Sequence, residues 1–467
     1  MSAPQQPTQQ FEFVSDPRSL DARTSRLRYK SQDDVTQLGG MTEVRLPNVH
    51  NALLDCGATT LSLTLAKGLK LTGSPSLTTV TDPIKISPLC GASAAISRIT
   101  YRCGGNTICD LNNYAQIYAL LRSSNSPLSS FGYSSVTEGT SGGHGGGNQV
   151  GMLEGTNIAS DYFTDVAGTT DTVELTKDIS FELSLLGLFS SVKMLPLFQL
   201  NDDIVVQVYF NNNISDLFFT NSPLKISSST MEWSNVALNA KIISISDFGC
   251  EQIRKASQLT ANRPMSWSDT AYTSDFVTIP IGTLNSTTAV QVVSKVGGLK
   301  PRSCTALLTT GFPSTSSGDQ IKYECCHASF ETQYRCGGQL FPPQPLVGCQ
   351  QATGAQLCSG GQGSYTSLTN VFSKLASPMS ETDCARSRVA ANDQHTMRAV
   401  CGYPLANEAD MRGIDLSEST IEVICRYRLP TAGAFTVATT TPIQQLTLLK
   451  YNCVYSISEG GEFTVTQ

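Results

Sequence analysis

The residues able to do chemistry are few and scattered. His50, His144, His327 and His395 are the only imidazoles in 467 residues, so Ser-His-Asp or Cys-His catalysis has few possible bases, and no recognisable constellation surrounds any of them. The run "ECCH" brings Cys325, Cys326 and His327 together as metal donors would be. Consecutive strand residues point to opposite faces, however, and the chain has no C-x-x-C pair, so packing is the better reading. The Gly-rich "EGTSGGHGGGN" (138–148) has the letters of a phosphate loop but lacks the Lys-Ser/Thr ending, and reads as an exposed flexible loop. Asp202 and Asp203 follow a loop and precede a strand, which suits turn formers better than a glycosidase pair. The sequence therefore points to no catalytic residue, no metal ligand and no cofactor, and to a protein that is not an enzyme. One charged group does stand out: Arg23, Arg26, Arg28 and Lys30 in "RTSRLRYK", after the polar "SAPQQPTQQ".

Composition narrows the class. A chain of this length exceeds one ordinary core and calls for more than one domain. Hydrophobic content of 40% is that of a globular chain, and only 15% of residues are charged. So low a charge suggests a surface largely covered by neighbours. The net charge of −6 is too small to steer ligands and argues against wrapping nucleic acid directly. The N-terminus lacks the regions of a secretory signal, and no apolar run approaches the roughly 18 residues that span a bilayer. The expectation is a soluble chain made in the cytosol. On that route the acceptors "NIS" (213–215) and "NST" (285–287) stay unglycosylated, and most of the 15 cysteines stay reduced and buried.

The pentapeptide YRCGG occurs at 101–105 and again at 334–338, 233 residues apart. Chance alone gives such a match about one time in ten for ordinary composition. A second pair strengthens it: "IISISDFG" (242–249) and "VYSISEGG" (454–461) share the pattern apolar-x-Ser-Ile-Ser-acid-x-Gly, in the same order. Both YRCGG copies also precede a Tyr-led apolar segment with helical spacing, "NNYAQIYALLRSS" and "GSYTSLTNVFSKLAS". The chain reads as two related domains with a junction near 250–265.

The elements are strands. "LSLTLAKGLKL" alternates Leu61, Leu63 and Leu65; "DISFELSL" alternates Ile179, Phe181, Leu183 and Leu185; "DIVVQVYF" alternates Ile204, Val206, Val208 and Phe210. In the second half "STIEVICRYRL" puts Ile421, Val423, Cys425 and Tyr427 on one face, and "YNCVYSISEGGEFTVTQ" reads as strand, Gly-Gly turn, strand. Many short strands joined by long Gly/Ser/Pro loops predict paired-sheet sandwiches, with Tyr-Arg-Cys ending a strand and the glycine pair making the turn.

Taken together, these segments resemble the double jelly-roll major capsid proteins of the tectivirus and adenovirus lineage, most like those of polinton-like viruses, virophages and adintoviruses. The likeness lies in "SFELSLLGLFSSVKMLPLFQLNDDIVVQVYF" (180–210), where a strand, a short helical turn, an "LPL" loop and a strand follow one another. "DCGATTLSLTLAKGLKL" (55–71), "YRCGGQLFPPQPL" (334–346) and "RGIDLSESTIEVICRYRL" (412–429) continue in the family's order. The resemblance implies an all-β fold of two eight-stranded jelly-roll sandwiches in tandem, with short helices in loops. It divides the chain into a partly disordered arm at 1–30, a first jelly roll at 31–250 and a second at 251–467. It further implies a homotrimeric, pseudo-hexagonal capsomer tiling an icosahedral virion shell beside penton and minor capsid proteins, without sequence-specific nucleic-acid binding, and says nothing on an internal membrane. Arg23, Arg26, Arg28 and Lys30 would then make inner-face contacts, and deleting residues 1–30 would spare trimers while impairing shells. The alternative is a β-sandwich carbohydrate- or receptor-binding module, for which Tyr209, Phe210, Phe218, Phe219 and Trp233 would form the stacking platform.

Overall fold

The computed structural model describes residues 22–65, 69–72, 85–86, 91–125, 171–173, 177–184, 186–212, 218–219, 225–227, 232–259, 265–279, 290–296, 301–313, 331–347, 400–405, 413–427 and 443–466. The first half supplies β1 (Arg23–Lys30), β2 (Met41–Leu46), β3 (Ala52–Leu65), β4 (Ile96–Cys103), β5 (Asn106–Asn112), β6 (Lys177–Glu182), β7 (Ile204–Phe210) and β8 (Glu232–Ser244). They form two antiparallel sheets, in the orders β1-β8-β3-β6 and β2-β7-β4-β5. The second half supplies β9 (Met265–Ile279), β10 (Val290–Val296), β11 (Cys304–Pro313), β12 (Glu331–Cys336), β13 (Gln339–Val347), β14 (Val400–Pro404), β15 (Ile421–Tyr427) and β16 (Ile443–Ile457). Its sheets run β9-β16-β11-β14 and β10-β15-β12-β13. Adding eight to every strand number of the first half reproduces the second. This interleaved order in two facing sheets is the jelly-roll topology, and the chain contains it twice.

Period-two patterning explains which face each strand buries. Leu61 and Leu63 of β3, Ile179 and Phe181 of β6, and Ile204, Val206, Val208 and Phe210 of β7 are all buried, as are Ile421, Val423 and Cys425 of β15. Leu183, just past β6, is buried too. Leu185 and the Tyr427 side chain lie outside the described residues. The helices are short: α1 (Tyr114–Asn125), α2 (Leu188–Ser191) and α3 (Asp247–Leu259). The helical segment expected at 363–377 also falls outside the described residues.

YRCGG is the same hairpin twice. Cys103 pairs with Asn106, and Cys336 with Gln339, across two-residue turns. Gly104 and Gly105 have φ of 56° and 85°; Gly337 and Gly338 have 55° and 84°. Two successive positive φ values define the type I′ turn, whose twist matches the flanking strands, and glycine reaches them without a Cβ penalty. The second repeated motif ends β8 and β16 alike and then diverges. Ser246 Oγ accepts from Gly249 N–H at 3.2 Å and starts α3, whereas Ser458 Oγ accepts from Glu462 N–H at 3.0 Å and closes a turn into β17 (Phe463–Thr466). The side-chain acceptor is the same in both. What differs is Gly460-Gly461 against Phe248-Gly249, since a glycine pair favours a turn and disfavours a helix.

The sequence placed Arg23–Lys30 in an arm; in the structure these residues are β1, paired with β8 from Arg23↔Ser244 to Lys30↔Ala237. The first jelly roll thus begins at Arg23, and a 1–30 deletion removes an edge strand as well as a tail. Residues 1–21 lie outside the described residues. Between the last strand of the first half and β9, which starts at Met265, the chain runs through α3.

Candidate functional site

Among the described residues no group of three His, Cys, Asp or Glu side chains could hold a metal. Cys56, Cys103, Cys109, Cys250, Cys304, Cys336, Cys425 and Cys453 are all buried. Burial pushes the thiols of Cys103 and Cys336 up to about 11 and that of Cys304 to about 12. Such thiols are protonated and poor nucleophiles at neutral pH. His50 is exposed, with Nε2 4.0 Å from Asp247 Oδ1. Asp203 Oδ1 accepts from Asn48 N–H at 3.1 Å, and Asp202 sits against the first YRCGG turn, so both act as turn residues. "ECCH", the Gly-rich loop, both glycosylation acceptors, His144 and His395 fall outside the described residues.

What the described surface offers instead is a set of contacts between sheets. The largest joins the two halves. Residues 445–451 of β16 are buried without a break, which requires a strand covered on both faces. One face serves the second sandwich: Leu449 packs with Leu307 and Cys304, and Gln445 Nε2 donates to Ser294 Oγ of β10 at 3.0 Å. The other serves the first: Leu446, Leu448 and Tyr272 belong to one apolar cluster with the first-half core. Trp267, Tyr455 and Phe463 join that cluster at the strand ends, with Trp267 and Tyr455 stacked at 5.6 Å. Polar bonds pin the seam. Asn106 Nδ2 donates to Glu462 Oε1 at 3.1 Å, Asn113 Nδ2 to Ser274 Oγ at 3.2 Å, and Asn201 N–H to the Gly461 carbonyl at 3.0 Å.

The outer faces of the two β2-type sheets have diverged. In the second half, Lys295, Glu422 and Arg335 stand side by side across β10, β15 and β12. Glu422 accepts from Arg335 Nε at 2.6 Å and from its Nη2, and Lys295 Nζ lies 3.9 Å away. The matching row of the first half is Arg45, Val205 and Arg102, two cations with an apolar residue between them. The next row is reversed: Val293, Ile424 and Gln333 answer to Glu43, Gln207 and Thr100. Val293 is 47% exposed. The fold is repeated, while the surface each copy presents is not.

The four basic residues lie along β1, an edge strand with almost every residue exposed. Arg28 Nη2 donates to the Asn235 carbonyl at 3.3 Å. Among the described residues no carboxylate lies within ion-pair distance of Arg23, Arg26, Arg28 or Lys30. The aromatic platform does not form: Trp233 and Phe210 are buried and stacked on each other at 5.2 Å, and Tyr209 lies under Arg98. The side chains of Phe218 and Phe219 are outside the described set. Sequence reasoning missed the seam. Its one visible signal was the uninterrupted "LTLLKY" of β16, too short a run to separate double burial from an ordinary core strand.

No protein-family model and no curated protein sequence matches the chain. Solved structures do. The chain is similar to the Sputnik virophage cryo-EM structure, with 12% identity, TM-score 0.59, 100% of this chain and 93% of that chain covered. It is similar to the PBCV-1 virus capsid, with 10% identity, TM-score 0.57, and 97% and 98% coverage. It is similar to the mavirus major capsid protein, with 10% identity, TM-score 0.51, and 95% and 90% coverage. At such identities the likeness establishes the fold: a double jelly roll, shared from end to end.

Proposed function

We propose that this chain is a viral major capsid protein, a structural component of the virion rather than an enzyme. Three copies associate into a pseudo-hexagonal capsomer, and capsomers tile an icosahedral shell. The observation that carries this reading is the match of a duplicated jelly roll to the PBCV-1 capsid over 97% of this chain and 98% of that one. The duplication has a geometric use, since six similar sandwiches from three chains approximate six-fold packing. Heterologous contacts that close at three subunits give a finite tile. Assembly is then the whole mechanism, with no bond made or broken. The neighbours in this reading are other capsomers, penton proteins at the vertices and minor capsid proteins. The exposed basic residues Arg23, Arg26, Arg28 and Lys30 of β1 serve as contact residues of the shell.

A carbohydrate-binding module of the same fold class would need an exposed aromatic platform, and burial of Trp233 and Phe210 in the core removes its centre. Light scattering on the purified chain, with negative-stain images of the same peak, tests the proposal. The expected mass is three times the chain mass of 50.0 kDa, with hexagonal outlines. A monomer that stays monomeric at high concentration would overturn it.

A further inference from the structure

The internal repeat makes each contact between the halves one member of a related pair. Within the chain, the turn before β7 touches the turn after β16: Asn201 N–H donates to the Gly461 carbonyl. Beside it, Asn106 at the start of β5 donates to Glu462 and to the Phe463 carbonyl. The strand pairings fix the corresponding positions. Ile204 pairs with Cys103 as Ile421 pairs with Cys336, so Glu418 stands where Asn201 does, three residues before its strand. Gln339 stands where Asn106 does. The Ser-Ile-Ser motif sets Gly249 against Gly461 and Phe248 against Gly460. The first half's turn therefore has its docking place inside the chain. Among the described residues, the second half's turn makes no hydrogen bond or ion pair with the motif that corresponds to it.

We infer that this second pair meets between chains: the 415–419 turn and the start of β13 of one copy dock on the Ser246–Gly249 corner of the next. The inference rests on the trimer proposed above and names the surfaces that close it. The chemistry on both sides suits a contact. Phe248, in the first turn of α3, is 58% exposed, and Leu340, next to Gln339 in β13, is 43% exposed, so each side offers an apolar side chain to the other. Charge is complementary as well. Glu418 is exposed on the turn, and Arg23, paired with Ser244 at the receiving corner, is exposed without a carboxylate partner among the described residues. The two acids of that corner are already engaged: Asp247 by Asn51 and His50, Glu251 by Lys255 at 3.8 Å. A heterologous contact that repeats around a ring closes only when the last unit meets the first. The contact within each chain supplies three of six junctions, and this one supplies the other three.

The test is a cysteine pair, Phe248→Cys with Glu418→Cys, in the full chain. A disulfide needs Cα atoms within about 7 Å, so only a close approach is captured. After mild oxidation, non-reducing gels should show covalent dimers and trimers that are absent from each single variant. Trimers in light scattering without these species, or a disulfide confined to monomers, would overturn the docking surface while leaving the trimer standing. A monomeric parent chain would overturn both. A second variant, Phe248→Asp, should weaken association about tenfold, the usual scale for losing a buried aromatic anchor; unchanged association would also count against the inference.

Discussion

Tyr101 and Tyr334 hold the same place in the two YRCGG hairpins, yet among the described residues only the Tyr334 hydroxyl finds a partner. Both rings are completely buried. Tyr334 Oη shares a hydrogen bond with Thr309 Oγ1 at 3.0 Å, whereas among the described residues Tyr101 Oη has no partner, and its ring packs edge-on against Phe189 at 5.2 Å. An unpaired buried hydroxyl costs stability, and a paired one returns it only while its partner remains. Tyr334→Phe should therefore destabilise by about 1–3 kcal/mol, leaving Thr309 unpaired. Tyr101→Phe should be neutral or stabilising. Chemical denaturation of the two variants would separate them, and equal losses would contradict this account.

The seam rests on Gly461. Its φ is +80°, and a Cβ there would sit 2.7 Å from Asn201 N and 2.8 Å from the Gln199 carbonyl oxygen. Gly461→Ala should cost about 1–3 kcal/mol from backbone conformation alone, with the clash added. Gly460→Ala meets only Ser458 Oγ at 3.8 Å and should be mild. Thermal melts of both variants decide the point; a Gly460 variant as damaged as Gly461 would sink it.

Glu422 is the anion of the Lys295–Glu422–Arg335 row and is largely covered, while its two cations reach solvent. Glu422→Gln should lose about 0.5–1 kcal/mol at low salt, and less at high salt as screening removes the difference. A salt-independent loss would show that packing of the side chain, rather than charge, is what matters there.

Burial raises the thiols of Cys103, Cys304 and Cys336 above their ordinary value of 9.0. A group whose folded pKa is raised binds its proton more tightly in the native state, so its stabilisation is full below the unfolded value and is lost as pH rises toward the folded one. Stability should be insensitive to these thiols from neutral pH to about 8 and fall between roughly 9 and 12. Cys336→Ala should flatten part of that decline in urea titrations at successive pH values. An unchanged slope would mean that other groups set the alkaline limit.

Legibility followed burial. Strands with one buried face, such as Ile204–Phe210 and Ile421–Tyr427, could be read directly because alternation records the face. The YRCGG turns were legible because a glycine pair after a strand has few other uses. β1 was not: "RTSRLRYK" buries almost nothing, is held by its backbone pairing with β8, and so carries no apolar period. The divergence of the Ser-Ile-Ser motifs was hidden for a different reason. Identical caps precede a helix in one copy and a turn in the other, and the choice lies in the residues that follow. The seam was the least visible part, because which sheet covers which depends on three-dimensional placement that alternation does not encode.

The double coverage of β16 also bears on how a ribosome delivers this chain. The first sandwich emerges complete before β16 exists, and it owns all the strands of its own two sheets. The second sandwich shows Leu446 and Leu448 to whatever lies beside it until the first is there to receive them. Folding from the N-terminus forward gives the late strand a finished surface to land on. The reverse order would leave Leu446 and Leu448 uncovered on the outer face of a finished sheet, an apolar patch open to misassociation.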